Sequence, residues 1–204
     1  MPLQASVLFL RIAGFAGLSE AERSHQRERL LNIVQQLVPK WPEDGRVVLE
    51  ADDGAAIVSL DDPVKAMDAG RRAGRKSGFM IGLHHGPVRS LTVERVTVLA
   101  GDGIETAQSV AGLSQEHPVV ATREFRQALR AAAPDRAEAL VAAGNFVDER
   151  FRAYELFAPD AEAAKVRRSR RMIVGGVTLA GILGIGWFAR VRRKSSEAAR
   201  RRGP

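Results

Sequence analysis

The order in which two hydrophobic periods alternate over residues 6–84 leaves few folds open. Residues 6–13 (SVLFLRIA) form a short apolar run, the mark of a buried strand. A turn at 14–18 follows. Ser19 and Glu22 have capping-box spacing, and Leu30, Leu31, Val34, Leu37 and Val38 then recur at helical intervals. Pro39, Pro42 and Gly45 stop that helix. Residues 46–51 and 55–60 read as two strands joined by Asp52-Asp53-Gly54, a hairpin signal. Asp62-Pro63 opens a second helix with proline at its first position, ending near Gly78, and residues 79–84 are a strand again. The order is β-α-β-β-α-β, the ferredoxin-like arrangement of an α+β domain. Beyond it the pattern predicts a hairpin arm over 88–98, a short helix over 103–113 and a strand over 119–121. Thr122 caps a helix over 123–133, and strands at 146–149 and 152–157 close the domain.

Charge divides the chain. Residues 1–160 carry 19 Lys and Arg against 22 Asp and Glu, a balance of −3; residues 161–204 carry 12 against 2, a balance of +10. A nucleic-acid-binding domain carries its basic patch on the fold itself, so this distribution points away from nucleic acid and toward a membrane. Residues 172–189 are 18 residues without a charge, flanked by arginines, with Trp187 and Phe188 at one end. As a helix they span roughly 27 Å, close to a ~30 Å hydrocarbon core, and snorkelling arginines make up the rest. Gly176, Ala180 and Gly184 recur every four residues, a spacing that lets two membrane helices approach closely. The expected organisation is a domain at 1–158, a basic linker at 159–171, a transmembrane helix at 172–189 and a basic tail at 190–204. The arginines after residue 189 favour a cytoplasmic C-terminus by the positive-inside rule. A folded domain with no visible signal peptide favours a cytoplasmic N-terminal domain instead, and a single-pass C-terminal anchor of that orientation is the expectation. The absence of cysteine excludes disulfides and thiolate metal sites.

Chemistry-bearing residues are sparse. His84 and His85 are adjacent, so on a strand they face opposite ways and cannot share a metal. Asp52 and Asp53 read first as a tight turn, with a metal-holding pair as the alternative. Asp102, between Gly101 and Gly103, reads as a helix cap. Arg71, Arg72, Arg75 and Lys76 read as a solvated helix end favoured by the macrodipole, or as a contact to anionic lipid. No Ser-His-Asp arrangement, Walker loop or zinc spacing is present.

Four motifs, in order, resemble the catalytic domain of class III adenylate/guanylate cyclases over about residues 5–158. Val7-Leu8-Phe9-Leu10-Arg11-Ile12-Ala13-Gly14-Phe15 is similar to the family's first strand and D-I-x-G-F turn. Asp52-Asp53-Gly54 is similar to its G-D hairpin. Ile81-Gly82-Leu83-His84-His85-Gly86-Pro87-Val88 is close to I-G-x-H-x-G-x-V. The segment from Gly101 to Val110 resembles G-x-x-V-N-x-A-A-R-L, and Gly144 with Tyr154-Glu155-Leu156 resembles the family's ending.

The resemblance implies a dimeric protein with active sites at the subunit interface, and it also marks what this chain lacks. Of the two metal-binding aspartates, one falls on Arg11 and one on Asp53. The transition-state asparagine and arginine fall on Glu105 and Ser109. The base-recognition positions fall on Leu49 and Val98. Two metal ions and an arginine normally neutralise the triphosphate, and Arg11, Glu105 and Ser109 break both halves of that site. The expectation is a catalytically degenerate, membrane-tethered module that dimerises with itself or a partner in signalling. It needs no cofactor, with Mg or Mn implied only if activity remains. The alternatives are an active cyclase with variant residues or a nucleotide-binding sensor.

Overall fold

The computed structural model describes residues 3–41, 45–60, 62–76, 78–93, 96–113 and 116–160. The expected linker, membrane helix and tail, with Gly176, Ala180 and Gly184, lie outside them. Among the described residues no helix is long and apolar enough to cross a membrane. Met1–Asp160 forms one compact unit.

The elements are β1 (Leu3–Ile12), α1 (Glu20–Leu37), β2 (Arg46–Ala51), β3 (Gly54–Ser59), α2 (Pro63–Ala73), β4 (Phe79–Val93), β5 (Val96–Ala100), α3 (Asp102–Ala111), β6 (Val119–Thr122), α4 (Arg123–Ala132), α5 (Pro134–Ala137), β7 (Leu140–Val147) and β8 (Ala153–Pro159). The sheet order is β2-β3-β1-β4-β6-β8-β7, with β5 paired to β4. The order β4-β1-β3-β2 within it is the ferredoxin-like core. All pairings are antiparallel except β4 with β6.

β1 is buried on both faces, which is why its sequence reads as an unbroken apolar run. Leu8, Leu10 and Ile12 face the layer of α1, α2 and α4, where Leu30, Ile33, Val34, Leu37, Met67, Phe125 and Leu129 pack. Ala5, Val7 and Phe9 face the other way and meet Ala107 and Ala111 of α3. Burying each of the larger side chains contributes about 1.5–3 kcal/mol, so β1 anchors two apolar layers at once. The Ser19–Glu22 capping box and the Asp62 and Thr122 caps form as expected.

Several boundaries and one inward position differ from expectation. β1 begins at Leu3 because Leu3, Gln4 and Ala5 pair with Val88, Pro87 and Gly86. β4 continues through Pro87 to Val93; near Pro87 only β1 pairs with it, and an edge tolerates a residue with no N–H. In α1 Leu31 is exposed and Ile33 takes its place inward. β7 starts at Leu140, six residues early. It is an edge strand with a register shift between Ala142 and Gly144 and exposed Val141 and Val147, so its sequence carries little alternation.

Candidate functional site

The glycine frame positions α3. Gly101 precedes the helix at φ 137°, a conformation that glycine adopts freely. A Cβ at Gly82 would collide with the Ala107 carbonyl, so β4 and α3 are in direct backbone contact there. Asp102 is the first helical residue rather than the cap, and no side chain caps this helix. The bare glycine lets the strand-to-helix turn close against Pro87, whose carbonyl a Cβ on Gly103 would meet at 3.0 Å.

Arg11 leaves β1 on the α3 face, the side of Phe9, and its Nε lies 2.8 Å from Asp53 Oδ2. Gln108 Nε2 donates to the other carboxylate oxygen at 3.4 Å. Asp53 sits in the β2–β3 turn, and its carbonyl accepts from the Ile12 N–H at 2.8 Å. The guanidinium lies against Gly112 at the end of α3, where any Cβ would overlap Arg11 Nη1. A cation at a helix C-terminus is also favoured by the dipole. Asp53 therefore has protein donors on both oxygens. Among the described residues no group of three or more His, Asp or Glu side chains is arranged to hold a metal. This donor set does not suit the two-metal chemistry that the resemblance implies.

A second network joins α3 to the β7–β8 connection. Glu105 pairs with Arg150 at 2.7 Å. Ser109 Oγ accepts from Arg152 Nη2 at 3.1 Å. Arg152 also donates to Asp148 at 2.8 Å and Asp102 at 3.1 Å, and lies over the Tyr154 ring. Asp148 is buried and accepts backbone N–H bonds from Arg150 and Arg152. Burial pushes its pKa up, but the hydrogen bonds from Arg152, Tyr154 and Arg150 together hold it below the usual carboxylate range. Its hydrogen bond raises the Arg152 pKa. Arg152, which sequence reasoning overlooks, thus brings a guanidinium to Ser109, but two carboxylates already engage it. This network and the Arg11–Asp53 pair share no hydrogen bond or ion pair among the described residues.

The remaining expected positions are apolar or structural. Leu49 is half-buried on β2 and packs on the α3-side cluster. Val98 lies on β5 opposite Leu91, where only the backbone is described. His84 is buried and its Nδ1 lies 2.9 Å from Thr122 Oγ1, so it ties β4 to the cap of α4. His85 faces away from it and meets Ser6 Oγ at 3.0 Å. Burial lowers the pKa of both histidines.

No protein-family model and no curated protein matches this chain. Solved structures match it in fold. The adenylyl cyclase CyaB from P. aeruginosa has a TM-score of 0.57 at 13% identity, over 78% of this chain and 95% of that chain. A bacterial light-regulated adenylyl cyclase has a TM-score of 0.60 at 14% identity, over 78% of this chain and 51% of that one. The non-canonical dimeric guanylyl cyclase domain of the RhoGC fusion protein from the aquatic fungus Blastocladiella emersonii has a TM-score of 0.53 at 16% identity, over 76% of this chain and 96% of that one. The described domain therefore has the mixed α+β fold of adenylate and guanylate cyclase catalytic domains, and at these identities the likeness concerns the fold alone.

Proposed function

We propose that this chain is a catalytically degenerate nucleotidyl-cyclase homology domain. In this reading it is tethered to a membrane by residues 172–189, with the domain on the cytoplasmic side, and works in signalling by pairing with a second copy or a partner. The observation that carries the proposal is the Arg11–Asp53 ion pair at 2.8 Å. The pair is only partly exposed, and a surface ion pair is worth about 0–1 kcal/mol, less than one buried core side chain. Its main consequence is therefore local: a guanidinium stands where a divalent cation would have to bind. Glu105 adds the opposite fault, since its carboxylate would repel a phosphate. Association is supported by the sheet face shared with α3, where Val47, Leu49, Leu60, Leu99 and Ile104 stay half-buried around the Ala5, Val7 and Phe9 cluster. The acidic balance of residues 1–160 argues against nucleic acid as the partner. Purified full-length protein, given ATP or GTP with Mn²⁺ or Mg²⁺, is expected to form no cyclic nucleotide. Robust turnover would overturn the proposal.

A second reading, an active cyclase with a variant centre or a nucleotide sensor, draws on Arg152 at the Ser109 position. If that guanidinium serves a phosphate, Arg152→Ala abolishes nucleotide binding measured by calorimetry. Binding that survives the substitution, or no heat from the unmodified protein, disposes of this reading.

A further inference from the structure

The C-terminal ends of α1 and α2 enclose a cleft of about 410 Å³. Ile33, Leu37 and Ala73 give it an apolar floor, and Gln36, Arg72, Arg75 and Lys76 stand around it. Arg72, Arg75 and Lys76 are exposed, and none of them has an ion pair among the described residues. Asp68, the acidic residue one turn back on α2, is already held by Arg136 at 2.6 Å. The helix dipole favours cations at this end by about 0.3–1 kcal/mol each. That accounts for Arg71 and Arg72 in the last turn, but Arg75 and Lys76 lie beyond the last helical residue.

The chain leaves the domain at the same end of the sheet. A Cβ on Gly74, just after α2, would overlap the Val119 side chain at the start of β6. β8 runs antiparallel to β6, with Ala121 opposite Phe157, so it travels back toward that end before Asp160. Residues 161–171 then carry five Lys and Arg and one Glu ahead of the uncharged 18-residue run. Eleven residues reach at most about 40 Å when extended.

We propose that this cation-rimmed cleft is a docking surface for an anionic lipid bilayer, whose headgroups meet Arg72, Arg75 and Lys76. The proposal rests on the membrane-tether reading. Charge complementarity and the short, basic connection after Asp160 select the bilayer as occupant, since a cytoplasmic leaflet attracts each nearby Lys or Arg by about 1 kcal/mol.

The test uses the full chain, which has no native cysteine, with Gln36→Cys carrying a nitroxide. Flotation with phosphatidylcholine vesicles reads the tether alone, so its failure is visible separately. In vesicles about one third phosphatidylserine, the label is expected to lose accessibility to an aqueous relaxation agent. High salt should reverse the loss. Arg72→Gln with Arg75→Gln and Lys76→Gln should abolish it. Because these side chains are exposed, unchanged thermal unfolding is the control for the variant. Equal accessibility in anionic and neutral vesicles overturns the proposal. So does equal shielding by inorganic phosphate or polyglutamate without vesicles, which would make the occupant a soluble anion or an acidic protein.

Discussion

Arg11 has a carboxylate at 2.8 Å and a glycine too close to accept a side chain. Removing its charge should therefore change what Asp53 binds more than it changes stability. Arg11→Asp sets a second carboxylate beside Asp53, at the position where the resemblance implies a metal ligand. The variant is expected to bind Mn²⁺ at least about ten-fold more tightly than the unmodified chain, as opposed charges give way to paired carboxylates. Titration followed by the Mn²⁺ paramagnetic signal measures this, and equal binding by both proteins would remove the ion pair from the explanation. Gln108, which donates to the other Asp53 oxygen, is the natural second substitution if the first gives weak binding.

At the scale of elements, the α3–β4 contact and the β4–α4 tie make separate predictions. Gly82→Ala drives a Cβ into the Ala107 carbonyl, a backbone atom that yields only if the helix moves. A loss of about 1–3 kcal/mol is expected in denaturant unfolding. Gly17→Ala, with nothing within 4 Å, should stay within about 0.5 kcal/mol. His84 gives a pH dependence. Burial lowers its pKa below the ordinary 6.5, against the opposing pull of Glu124 and Asp102. As pH falls the unfolded chain takes up the proton first. The contribution is complete above 6.5 and is lost between 6.5 and the lower folded value. Burial shifts His85 in the same direction. Stability should fall by up to about 1.4 kcal/mol per pH unit for each histidine across that window. His84→Gln should remove one of the two contributions; an unchanged slope of stability against pH would contradict this assignment.

For the whole molecule, the half-covered face around Leu49 predicts self-association or capture of a similar domain. Sedimentation should show a concentration-dependent dimer that Leu49→Glu weakens at least about ten-fold, since the charge would have to be buried. Leu49 is only half-buried at the edge of the Phe9 cluster, so unchanged thermal unfolding of the variant separates fold from face in this test. A monomer at all concentrations would leave a heterologous partner as the remaining form of the proposal.

Local signals made most of the core legible. Ser19, Asp62 and Thr122 cap helices through backbone N–H groups two or three residues away, so composition and spacing suffice. β1 and β3 are apolar because both their faces are buried, and that too is written along the chain. β7 escapes such reading because an edge strand facing solvent needs no alternation. The β-α-β-β-α-β order, the glycines beneath α3 and the identities of Arg11, Leu49, Glu105 and Ser109 are properties of the sequence itself. Only the tertiary structure decided which charges meet. Arg11 reaches Asp53 because the β1–β3 register sets Arg11 opposite Gly54, next to that turn. Arg150 and Arg152 reach Glu105, Asp102 and Ser109 because the β7–β8 connection lies against α3. Ion pairs that far apart in sequence leave no periodic trace, since nothing in either segment alone requires the other.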